Sequence, residues 1–142
     1  MCLMDNIEFL ILKNLLHNEE YVRKVIPFIK ADYFEDLTQK IVFEEIFSFV
    51  EQYNKLATKE ILCIEAEKRS DINDSSYKDV TQLISSLENE PSEYEWLVTT
   101  TEKWCRDRAI YLALMESIQL ADGKDDTKGR DAIPTILSDA LA

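Results

Sequence analysis

The sequence has few of the residues that interrupt helices, with only two glycines and three prolines among 142 residues. Turns between β-strands draw heavily on both residue types, so their scarcity predicts a chain that is nearly all helix. Apolar residues make up 46% of the chain, which is an ordinary share for a globular protein with its own core. The length is that of one domain.

Basic residues, histidine and closely spaced cysteines are also scarce. The 16 lysines and arginines are outnumbered by 28 acidic residues, and a net charge of −12 predicts weak or no binding of nucleic acid by this chain. His17 is the only histidine, so neither a Ser-His-Asp set nor a Cys-His pair is indicated. Cys2, Cys63 and Cys105 lie too far apart for a zinc site and are typical of a reducing cytosol. We see no signal peptide and no membrane span.

Sites for nucleotides and metals are not predicted either. The segment from Gly123 to Arg130 lacks the Gly-Lys-Ser/Thr ending of a phosphate-binding loop. Glu44 and Glu45 are neighbours on a predicted helix and should point apart, while Asp125-Asp126 is typical of a solvated loop. We therefore expect no catalytic residue, no cofactor site and no metal site in this chain.

A long helix dominates the second part of the sequence. Ser92 and Glu95 have the spacing of a capping box, and Gly123 is placed to end the helix. The pattern predicts a helix over 92–122, a loop over 123–130 and a second helix over 131–142, together a helical hairpin.

The hairpin carries an apolar seam with alternating steps of four and three residues, which is typical of a surface that packs against another helix. The seam could pack only within its own domain, but the length of the helix favours a second subunit. The predicted subunit interface consists of Trp104, Arg108, Tyr111, Leu112, Met115, Ile118, Ile133, Ile136 and Leu137.

Residues 1–91 are predicted to form a small globular helical bundle. Each of its helices has a candidate N-terminal cap, namely Asp5, Asn18, Asp36, Thr58, and Ser75 or a neighbour. The helix over 37–53 is apolar almost all round and should be central, with a core of Phe43, Ile46, Phe47 and Val50. Phe28, Ile29, Tyr33 and Phe34 indicate a buried connector before it.

Four stretches resemble the N-terminal domain of the DnaB-like replicative DNA helicases, in the form encoded by T-even-type bacteriophages. They read ADYFEDLTQKIVFEEIFSFVEQY, QLISSLENEP, SEYEWLVTTTEKWCRDRAIYLAL and DAIPTILSDALA. The resemblance implies a six-helix globular part followed by a hairpin, and a collar in which hairpins pair between subunits of a hexameric ring. It also implies primase and a helicase loader as partners, in the cytoplasm of an infected bacterium. ATP and magnesium would bind a separate RecA-like domain, which this chain lacks.

Two other classes of function remain open. One is a stand-alone acidic phage protein that inhibits a basic host protein by mimicking DNA, and the weaker one is an all-α hydrolase, for which no site residues are present. A gene that ends at Ala142 would favour the inhibitor, whereas a downstream Gly-Lys-Ser/Thr motif would favour the helicase.

Overall fold

The computed structural model describes residues 6–123 and 129–142, and within them the chain forms helices and no strand. The predicted all-α fold is confirmed. Short 3₁₀ turns at Ala31–Tyr33 and Arg130–Ala132 precede α3 and α7. The helices are α1 Ile7–His17, α2 Glu19–Val25, α3 Leu37–Tyr53, α4 Lys59–Glu67, α5 Asp74–Ser86, α6 Tyr94–Ala121 and α7 Ile133–Leu141.

Local capping signals place most of the helix starts. Asn18, Asp36 and Thr58 each accept a hydrogen bond from the backbone N–H three residues ahead, as predicted. The cap of α5 is Asn73, two residues before Ser75. The cap of α1 is Asn6, whose side chain accepts from the N–H of Phe9, and the predicted cap Asp5 lies outside the described residues.

The predicted capping box at Ser92 is wrong. The Glu93 carboxylate accepts the hydrogen bond from the Trp96 N–H at 2.6 Å, and α6 begins at Tyr94. The Ser92 hydroxyl instead accepts from the Asn14 side chain of α1 at 3.2 Å. At the other end Gly123 has a φ of +72°, and its N–H donates to the Leu120 carbonyl at 3.1 Å, as expected of a helix-ending glycine.

The chain divides into two compact units. The first ends at Thr101 and the second runs from Glu102 to Ala142, so the division falls within α6, beyond the boundary predicted at residue 91. The first unit holds α1 to α5 and the start of α6. The second unit holds the rest of α6 together with α7.

Helix α3 is central to the first unit, where it packs against α1, α4 and α5. Phe43 and Ile46 are buried as predicted. Phe47 and Val50 are not core residues: Phe47 is 36% exposed and Val50 is half-buried. A helix that is apolar almost all round does not reveal by its pattern which face the neighbouring helices cover.

The connector before α3 is buried at Ile29, Tyr33 and Phe34, as expected, but Phe28 is exposed. The α2 helix ends at Val25, two residues before Pro27, and the Phe28 N–H donates to the Val25 carbonyl at 2.9 Å. This turn directs Phe28 away from the core.

Candidate functional site

The second unit has a strip of exposed apolar side chains on α6. Tyr111, Leu114, Met115 and Ile118 are 46%, 47%, 40% and 53% exposed. Their spacing of i, i+3, i+4 and i+7 places them on one face of the helix. We call these four residues the α6 strip, and three of them belong to the predicted interface.

Another face of α6 is buried. It carries Ala113, Ser117 and Leu120, at steps of four and three residues. Sequence reasoning missed this face, because alanine and serine contribute little to an apolar pattern. The small residues Ala109, Ala113 and Ser117, four apart, were the signal that could have found it. The Ser117 hydroxyl has no hydrogen-bond partner among the described residues.

The predicted seam therefore changes character along α6. Leu97, Thr101 and Trp104 are buried, and Arg108 and Leu112 are half-buried. The Arg108 guanidinium carbon lies 5.0 Å from the centroid of the Tyr111 ring, within cation–π range. Trp104 is thus buried, whereas the exposed α6 strip begins about two turns later, at Tyr111.

The remaining predicted interface residues lie on α7. Ile133, Ile136 and Leu137 are half-buried, and Leu141 is largely exposed. Arg130, just before α7, donates from Nε to the Ala121 carbonyl at 3.0 Å. A cation is favoured at this position, because the C-terminal end of a helix carries partial negative charge. The contact joins the start of α7 to the end of α6.

The histidine and the adjacent glutamates discussed for catalytic or metal chemistry make contacts within the described part of the chain. The His17 ring lies 2.6 Å from the Leu87 carbonyl through Nε2, which is a structural contact. Glu44 and Glu45 both bind Arg69, at 2.9 Å and 2.7 Å. Residues 6–123 and 129–142 contain no cluster of three or more metal-binding side chains and no helix long and apolar enough to cross a membrane. Asp125-Asp126 and most of the loop after Gly123 lie outside the described residues.

No protein-family model matches the chain. A curated relative does: over 141 residues the chain is 32% identical to the DnaB-like replicative helicase of Enterobacteria phage T4. The resemblance to the DnaB-like replicative helicases is confirmed. The match covers 94% of this chain but only 30% of that helicase. This extent is consistent with an N-terminal domain of the DnaB-like type.

Proposed function

We propose that this chain is the N-terminal collar domain of a phage replicative helicase and that it joins subunits through the α6 strip. The supporting observation is the strip itself, with four large apolar side chains in helical spacing, each at least 40% exposed. Soluble monomers rarely leave such a surface open unless it binds something. The relationship to a replicative helicase makes a second subunit the natural partner.

A two-fold pairing suits the strip, because one self-complementary surface then serves both subunits. In this proposal the contact is flanked by Leu112 and by the α7 residues Ile133, Ile136 and Leu137. The Arg108 guanidinium, 5.0 Å from the centroid of the Tyr111 ring, lies beside it. A hexameric ring would combine these pairs with contacts made by an ATPase domain. ATP and magnesium would bind that domain, and primase and a helicase loader would bind the assembled ring in the host cytoplasm.

Light scattering over a concentration series tests this proposal. We expect the wild-type chain to gain mass with concentration, and we expect Met115→Glu and Ile118→Glu to shift the equilibrium toward monomer, because each places a charge within an apolar contact. Phe28→Glu is the matched control, since Phe28 is 44% exposed but lies in the first unit. A wild-type chain that remains monomeric at high micromolar concentration contradicts the proposal.

A further inference from the structure

A second open apolar surface lies on the first unit, far from the α6 strip in sequence. Helices α3 and α4 border a groove of about 340 Å³. Its apolar lining consists of Phe49, Tyr53, Ile61 and Ile64, and we call it the α3–α4 groove. The rings of Phe49 and Tyr53 are in contact, tilted by 36° with their centroids 4.7 Å apart. Tyr53 and Ile64 are 54% and 56% exposed, so the groove offers an aromatic and an aliphatic contact to a partner.

Carboxylates border this groove. Glu45 and Glu65 line it directly, and Glu60 lies on α4 one turn before Ile64. Next to Glu45, the Arg69 guanidinium binds three carboxylates, those of Glu44, Glu45 and Asp71. This cluster carries two more negative than positive charges, and Glu45 is its member that lines the groove.

We propose that the α3–α4 groove binds a basic amphipathic helix of another protein. The apolar stripe of that helix would lie on Tyr53 and Ile64, and its lysines or arginines would meet the exposed carboxylates of Glu60 and Glu65. In helix-in-groove recognition the apolar face of a helix lies in an apolar groove, and complementary charge at the edges adds specificity. The proposal goes beyond the collar function and uses a different surface from the α6 strip.

Charge also argues against a second copy of this chain as the occupant. The proposed partner helix carries cations, whereas α7, whose Leu141 is exposed, contains Asp139 and no lysine or arginine. The chain as a whole has a net charge of −12. A basic partner protein therefore complements the groove better than the chain itself does.

Lys68 provides a sensitive test of the charge argument. Its ammonium group lies 2.9 Å from the Glu65 carboxylate, and both side chains are well exposed to solvent. Exposed pairs of this kind are weak, so a cation of the partner can replace Lys68. Removing Lys68 should make the groove more negative and strengthen the binding of a basic helix.

The probe is a fluorescein-labelled peptide with leucines at i, i+3, i+4 and i+7 and lysines on the flanks, and binding is measured by fluorescence anisotropy. We expect Tyr53→Ser and Ile64→Ser each to weaken binding about tenfold. Lys68→Ala should strengthen it by roughly two- to fivefold, and added salt should weaken it. Both apolar side chains are more than half exposed, so their replacement leaves the buried core intact.

Two controls distinguish binding in the groove from nonspecific binding of the peptide. A peptide with glutamate in place of every lysine should not bind, and Met115→Ser, which alters the α6 strip, should bind the basic peptide as the wild type does. The proposal is overturned if the acidic peptide binds equally well or if Met115→Ser weakens binding as much as Ile64→Ser. Light scattering of Ile64→Ser distinguishes the two proposals, because that variant should self-associate normally.

Discussion

One pair of buried hydroxyl groups joins two helices of the first unit. Tyr21 of α2 and Thr101 of α6 are both fully buried, and their hydroxyl oxygens lie 2.6 Å apart. Each hydroxyl would lack this partner if the other were removed, and burying an unpaired polar group costs more than a hydrogen bond contributes. The pair therefore favours one arrangement of α2 against the start of α6.

We expect Tyr21→Phe to lower the free energy of unfolding by about 1–3 kcal/mol, because it leaves the Thr101 hydroxyl buried without this partner. Thr101→Val should have a similar effect. The double variant should cost less than the sum of the two, since no hydroxyl of the pair then remains. Urea titrations followed by circular dichroism measure all three values, and strict additivity would contradict the role assigned to this pair.

The Cys105 thiol gives a second prediction at this scale. Burial, with a smaller contribution from the Glu102 carboxylate, raises the pKa of Cys105 to about 12. The thiolate is the reactive form, and at pH 8 only roughly one thiol in ten thousand would be ionised. We expect iodoacetamide to modify Cys105 slowly in the native chain and quickly in urea, as measured by mass spectrometry of peptides. Equal rates in the two states would contradict this burial.

At the scale of the helix, α3 shows how tertiary contacts select among apolar residues. Its sequence presents apolar side chains on nearly every face, but α1, α4 and α5 cover only part of it. Ile46 is fully buried, whereas Phe47 keeps 36% of its surface exposed and contacts the Phe43 ring at a centroid distance of 5.9 Å. Neighbouring residues in one helix therefore differ in their contribution to stability.

We expect Ile46→Ala to cost about 2–5 kcal/mol, because it removes fully buried surface and leaves a cavity. Phe47→Ala should cost only about 1–2 kcal/mol, despite the larger side chain, because solvent reaches the site. Chemical denaturation at equilibrium compares the two variants under one set of conditions. If Phe47→Ala proves as costly as Ile46→Ala, the assignment of the buried face is wrong.

At the scale of the whole molecule, the net charge affects whether the chain binds nucleic acid. A net charge of −12 repels the phosphate backbone, because DNA binding depends on neutralising phosphates with lysine and arginine. The partners that we propose for the exposed apolar surfaces on α6 and along the α3–α4 groove are therefore proteins.

We expect no sub-micromolar binding of this chain to forked DNA at physiological salt, measured by fluorescence anisotropy of a labelled fork. The chain should also fail to hydrolyse ATP above background, because it has no Gly-Lys-Ser/Thr sequence. A salt-sensitive, sub-micromolar dissociation constant, or turnover that persists after further purification, would contradict these expectations.

The sequence alone determined the features that depend on neighbours in the chain. Asn18, Asp36 and Thr58 cap their helices through bonds to residues three positions ahead, and the lack of proline and glycine allowed α6 to continue without a break. Helical periodicity also indicated Tyr111, Met115 and Ile118 as one face of α6.

Only the tertiary structure decided which side chains the fold covers. Ser92 lies at the sequence position expected of an N-terminal cap. Its hydroxyl instead accepts a hydrogen bond from the Asn14 side chain of α1, a residue far away in the chain. Ala113 and Ser117 are buried while Met115 is exposed, although methionine is the most apolar of the three. Periodicity groups residues by helix face. Whether a face is buried depends on which helices pack against it, and those contacts join residues that are far apart in the sequence.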